Sequence, residues 1–220
     1  MYLSRMRLNP RRRGTVFLIG NPQAMHAAVE SCFPPVDGQK ERVLWRIDQH
    51  PDSVELYILS PRKPSFEHLQ EQAGWENEPS WRILDYSPLL DHVHKGNRYG
   101  FNLVANPVHT VTDPKTGRKA RKAHVTRAQM RQWLLDRADQ IGVAFPIDDA
   151  TGEPLVQVVG QRDLNFRRGG STLHLRQAEF QGVLDVTDPD FFREAITSGI
   201  GKARAYGCGL FTLVPVAKEE

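Results

Sequence analysis

Long apolar runs are missing from this chain of 220 residues: no stretch approaches the roughly 18 consecutive apolar residues that a membrane-spanning helix requires. Cysteine is nearly absent. Cys32 and Cys208 are isolated thiols, too few for a disulfide framework or a zinc cluster, so a reducing, cytoplasmic setting is expected. The opening MYLSRMRLNPRRR places cations on both sides of a very short apolar stretch, unlike a secretory signal. Nucleotide-binding loops are absent too, although SGIGKARAYGCGLF (198–211) holds four glycines around Lys202 and Arg204. A P-loop needs a strand before it, a helix after it and Ser or Thr behind its lysine; here a helical pattern precedes, a strand pattern follows, and Ala203 follows Lys202. The dinucleotide pattern G-x-G-x-x-G fails at Arg204.

Hydrolytic and metal motifs are equally scarce. His92 and His94 lie near Asp91 with no further ligand close by, which is weak support for a metal site. PDSVELY (51–57) has Tyr57 where a PD-(D/E)-x-K nuclease needs lysine. No paired-carboxylate cluster suits a two-metal mechanism, and no G-x-S-x-G elbow occurs. No metal and no cofactor are expected.

Clustered positive charge is present. The formal net charge of +3 hides four groups: Arg5, Arg7, Arg11, Arg12 and Arg13; Lys115, Arg118, Lys119, Arg121, Lys122 and Arg127; Arg167 and Arg168; and Lys202 with Arg204. Any one could be solvated surface charge, but four together suit a polyanionic partner.

The element order is informative. MYLSRMRL reads as a strand. Asn21 and Pro22 suit the cap and first residue of a helix whose buried stripe is Met25, Ala28, Val29 and Cys32. RVLWRI, with Val43, Trp45 and Ile47 on one face, and SVELYIL, with Val54, Leu56 and Ile58, flank a turn and form a hairpin. A short helix around SFEHLQEQAG and a strand SWRILDYS complete β-α-β-β-α-β.

The order then repeats. RYGFNLVANPV reads as a strand with Tyr99, Phe101, Leu103 and Ala105 on one side, followed by a basic loop (113–125). TRAQMRQWLLDRADQIG reads as a helix with a Thr126–Gln129 capping box and a stripe of Met130, Trp133, Leu134 and Ile141. Two long strands flank the Gly169-Gly170 turn. A helix capped by Asp188, with Phe191, Phe192, Ala195 and Ile196 on its apolar side, stops at Gly199, and GLFTLVPV is the last strand. The expectation is an α+β fold of two tandem ferredoxin-like (βαββαβ, RRM-like) domains, 1–95 and 96–220, divided near HVHKGN.

His26 lies on the flank of the first helix's buried stripe, with Gln23 and Glu30 on its side at i−3 and i+4. Such a histidine is either an inert surface residue or a proton donor or acceptor near neutral pH. The glycine loop is either a cap and turn or a holder of a sugar-phosphate backbone.

MYLSRMRLNP, NPQAMHAAV, ANP before a basic loop, and GIGKARAYGCGLFTLVPV occur in this order along the chain. Together they resemble the CasE family, the CRISPR-associated repeat-processing endoribonucleases of type I-E systems. The resemblance implies metal-independent cleavage of precursor CRISPR RNA at the base of the repeat stem-loop. It also implies retention of the product within the Cascade complex, so the partners are repeat RNA and other Cascade subunits, with no membrane and no small-molecule cofactor. It places the catalytic histidine at His26, as acid on the leaving 5′-oxygen or as base at the 2′-hydroxyl. Expected RNA contacts are Gln23, Arg12, Arg13, Lys119, Arg121, Lys122, Arg167, Arg168, Gly201, Lys202 and Arg204. Some family members carry tyrosine where this chain has Gln23, and glutamine cannot exchange a proton at neutral pH. The alternative is a non-catalytic RNA-binding subunit of the same ribonucleoprotein.

Overall fold

The computed structural model describes residues 1–35 and 41–216. Strand β1 (Tyr2–Leu8) leads into two short helices, α1 (Arg13–Gly20) and α2 (Pro22–Glu30), where sequence periodicity indicates only the second. Helix α1 escapes the pattern because it buries Thr15 and Leu18 while exposing Val16 and Phe17, so its apolar residues form no single stripe. The hairpin β2 (Leu44–His50) and β3 (Ser53–Ser60) comes next, then α3 (Glu67–Ala73) and β4 (Trp81–Asp85). The four strands are antiparallel in the order β2-β3-β1-β4, a ferredoxin-like sheet.

Helix α4 (Ser87–Asp91) connects to β5 (Arg98–Ala105). The basic segment is not a loop throughout. β6 (Val108–Thr112) and β7 (Lys119–Ala123) pair as a separate hairpin, whose second strand, KARKA, lacks the apolar alternation that reveals a strand. Helix α5 (Arg127–Leu135) begins with the Thr126–Gln129 capping box. It ends earlier than its pattern suggests, and Ile141 enters the core from a separate 3₁₀ turn (Asp139–Ile141). The two-residue strand β8 (Val143–Ala144) precedes the long hairpin of β9 (Val156–Arg168) and β10 (Ser171–Val186). Its turn is Gly169-Gly170, at φ 52° and 81°, the left-handed pair that a two-residue hairpin turn requires. Helix α6 (Pro189–Ser198) and strand β11 (Phe211–Pro215) close the fold. Phe191 departs from its expected place: it is 54% exposed, while Phe192, Ala195 and Ile196 are buried. In the second sheet β11 pairs β5, β5 pairs β10, and β10 pairs β9, repeating the first domain's order, with β8 added at one end of β10.

Each sheet packs its helices around its own apolar core, and strand β2 ties the two together. Trp45 faces the first core, as expected, yet Leu44 and Arg46 on the other face are also fully buried. That second face lies against the second domain. The Arg46 guanidinium is held by Asp48 at 2.6 and 2.8 Å and donates to Asn102 O, Leu210 O and Thr212 Oγ1 at 2.9, 3.2 and 2.9 Å. It also lies over the Tyr57 ring, 5.3 Å from its centroid. A buried arginine survives only with charge and hydrogen bonds matched in this way, and its partners come from β2, β5, β11 and the segment before β11.

Candidate active site

Helix α2 starts where Asn21 Oδ1 accepts the backbone N–H groups of Gln23 and Ala24 at 3.2 and 3.1 Å, with Pro22 in the first turn. Met25 and Val29 then turn to the core, which sets Gln23, His26 and Glu30 along the flank facing the second domain. The His26 side chain is 28% exposed. Its Nδ1 is sealed from solvent without a hydrogen bond, with Glu30 Oε1 at 3.9 Å, so Nε2 is the nitrogen offered outward.

The glycine-rich loop stands opposite. A 3₁₀ turn, Arg204–Tyr206, delivers the Tyr206 ring edge-on to His26 with centroids 6.1 Å apart, and its hydroxyl donates to Gln23 Oε1 at 3.2 Å. Tyr206 is buried between His26 and Phe166 of β9, a second edge-to-face contact at 4.6 Å. Its carbonyl accepts Gln177 Nε2 at 2.8 Å. Gly207 makes this approach possible: at φ 77° a Cβ would stand 2.8 Å from the Trp45 ring. Gly209 N–H then bonds Val104 O at 2.7 Å, and Lys202 forms an isolated bridge with Asn106 of the ANP motif.

The β9–β10 hairpin forms the roof. β10 pairs with β5 only over Ala178–Asp185, so Ser171–Gln177 and the facing part of β9 project beyond the sheet as a two-stranded arm. Leu164, Phe166, Leu173 and Leu175 line the face that packs on Tyr206. Strand alternation puts Arg162 and Arg168 on that inner face and Arg167 on the other. Arg162 was not indicated by the sequence. It lines the crevice with Trp45, Ile47, Gln177 and Tyr206, and burial pushes its guanidinium below the ordinary arginine value. Among the described residues it has no anionic partner.

The cations expected to contact RNA divide into two kinds. Arg13, Lys119, Arg121, Lys122, Arg167, Arg168 and Lys202 are exposed, with Lys119 and Arg121 on one face of β7 and Lys122 on the other. Arg12 instead donates to Gln70 O and Gly74 O at 3.1 and 3.0 Å, and Arg204 donates to Ser198 O and Gly199 O at 2.5 and 3.2 Å. Both close the carboxyl ends of helices, α3 and α6, where unpaired carbonyls concentrate negative potential. Gly201 packs against the Trp133 ring so closely that a Cβ at this position, where φ is 73°, would stand only 3.1 Å from it. Tyr206, Gln177 and Arg162 join the site from far along the chain. The one sequence signal for Tyr206 is its place between the glycines of the loop.

Among the described residues no cluster of three or more His, Cys, Asp or Glu side chains could hold a metal ion, and no helix is long and apolar enough to cross a membrane. Cys208 and Cys32 are fully buried, and burial pushes both thiols up to about 12.

Fold and seam define a protein of two tandem ferredoxin-like domains that meet at a histidine. The chain belongs to the CRISPR associated protein family, whose sequence model matches residues 1–215. It is 27% identical to the CRISPR-associated endoribonuclease Cse3 of Thermus thermophilus, covering 98% of this chain and 100% of the relative. It is also 29% identical to the CRISPR system Cascade subunit CasE of Escherichia coli, over 53% of this chain and 57% of that one. The solved structure of Thermus thermophilus Cse3 bound to an RNA representing a pre-cleavage complex matches with a TM-score of 0.79 at 26% identity, covering 97% and 98% of the two chains.

Proposed function

We propose that this protein is a metal-independent endoribonuclease that cleaves precursor CRISPR RNA within the repeat, at the base of its stem-loop, and keeps the product as a subunit of Cascade. The supporting observation is the position of His26: half-buried at the seam, Nε2 outward, beneath an arm tipped by cations. The similarity to the Cse3 endoribonuclease over the whole chain points the same way.

RNA carries its own nucleophile. The 2′-oxygen attacks the adjacent phosphorus and loses its proton to water, the P–O5′ bond breaks, and His26 Nε2 delivers a proton to the departing 5′-oxygen. The products are a 2′,3′-cyclic phosphate and a 5′-hydroxyl. Glu30 lies one helical turn from His26, its Oε1 3.9 Å from Nδ1, on the side away from the nitrogen that faces the RNA. Arg162, a desolvated cation without an anion among the described residues, receives a phosphate of the strand beside the cut. The stem is held through its phosphates by Arg167, Arg168 and the β6–β7 hairpin, since the deep major groove of A-form RNA resists side-chain reading. The chain divides into functional halves at 95/96, and the reaction takes place in the cytoplasm.

The test is incubation of the wild type and His26→Ala with the host's repeat RNA in EDTA. The wild type should cut. The variant should bind equally and cut about 10²–10⁴-fold more slowly. Equal cutting by both removes His26 from the reaction, and binding without cutting by both would leave a non-catalytic RNA-binding subunit.

A further inference from the structure

Gln23 sits one helical turn before His26, on the same flank of α2. A glutamine amide has an acceptor and a donor end of nearly equal shape, and its own torsion leaves either free to face a substrate. Here the choice is made from outside the helix. In the structure the Tyr206 hydroxyl donates to Gln23 Oε1 at 3.2 Å, so the oxygen is the end of the amide on the buried side. The other end, Nε2, has no hydrogen bond among the described residues and is not sealed from solvent. Tyr206 is itself immobilised by His26 and Phe166 on its ring and by Gln177 on its carbonyl.

We propose that Tyr206 is a positioning residue for the cleavage reaction: its hydroxyl fixes the Gln23 amide so that Gln23 Nε2 donates to a non-bridging oxygen of the scissile phosphate. Negative charge builds on those oxygens as the 2′-oxygen attacks, and a donor already aimed there stabilises the transition state more than the ground state. This inference rests on the ribonuclease function proposed for the chain. It gives the glycine loop a part in the chemistry through Tyr206, while Gly207 provides the close approach to Trp45.

Single-turnover cleavage at saturating protein, with RNA affinity measured alongside, tests the proposal in four proteins. Gln23→Ala should slow cleavage about 10²-fold, as loss of one such donor does elsewhere. Tyr206→Phe keeps the ring and its packing, and should slow cleavage about tenfold, the worth of one net hydrogen bond. The double variant should be no slower than Gln23→Ala alone, because Tyr206 acts only through Gln23. RNA affinity should match the wild type throughout, which a merely structural loss would not allow. Wild-type speed in either single variant overturns the proposal. So do multiplied losses in the double variant, or an affinity loss that parallels the rate. Failure of the wild type itself to cut would instead sink the ribonuclease reading, and the proposal with it.

Discussion

The two domains share one topology and use it for opposite ends. Each has four main strands in the same order, and each has a helix begun by an Asx cap and a proline, Asn21-Pro22 in α2 and Asp188-Pro189 in α6. In the first domain that helix presents His26. In the second the helix has no histidine, and the glycine loop at its end reaches across to the histidine of the first domain. The central hairpins diverge as well. β2–β3 stops at a short turn after His50, whereas β9–β10 runs past its sheet and ends in Arg167 and Arg168. Neither domain holds the candidate site alone; Gln23 and His26 meet Tyr206 only at the seam.

The largest way to break this arrangement is at its buried tie. Arg46→Ala strands Asp48 and the carbonyls of Asn102 and Leu210, and should cost about 3–5 kcal/mol in denaturant unfolding. The arm is tested next. Arg167→Ala with Arg168→Ala should reduce the slope of log affinity against log salt by about 1.5, since each phosphate contact contributes slightly less than one. Gln49→Ala with His50→Ala, at the matching hairpin end of the first domain, should leave the slope unchanged. The smallest effect separates the two capped helices. Asn21→Ala and Asp188→Ala should each cost about 1 kcal/mol of stability. Only Asn21→Ala should also slow cleavage, because only α2 carries the histidine.

Much of this was legible in the residues because local chemistry determined it. Asn21, Thr126 and Asp188 mark helix starts by side chains that accept backbone N–H groups, and Gly169-Gly170 marks a turn by backbone freedom alone. Helix α1 and the β6–β7 hairpin were hidden because neither buries a periodic apolar stripe. The candidate site was half legible. His26 stood out by its place beside a buried stripe, but Arg12 and Arg204 spend their charge on helix ends, and only the folded chain shows that. Arg46 looks like an ordinary outward residue of an alternating strand until a second sheet is laid against it. Tyr206 and Gln23 meet across nearly the whole sequence, a pairing no local pattern encodes.

Strand β10 has a mechanical consequence. Its sixteen residues extend from the middle of the second sheet to the tip of the arm, a rod of about 50 Å with one register irregularity against β9 at Glu179/Phe180. Phe166, paired with its Leu173, touches Tyr206, and Ser171 ends the rod beside Arg168. The interval between the arm's cations and Tyr206 is therefore set by the strand itself and not by a ligand. Under the function proposed above the arm acts as a ruler, and a stem lengthened by one base pair should bring a different phosphate to His26.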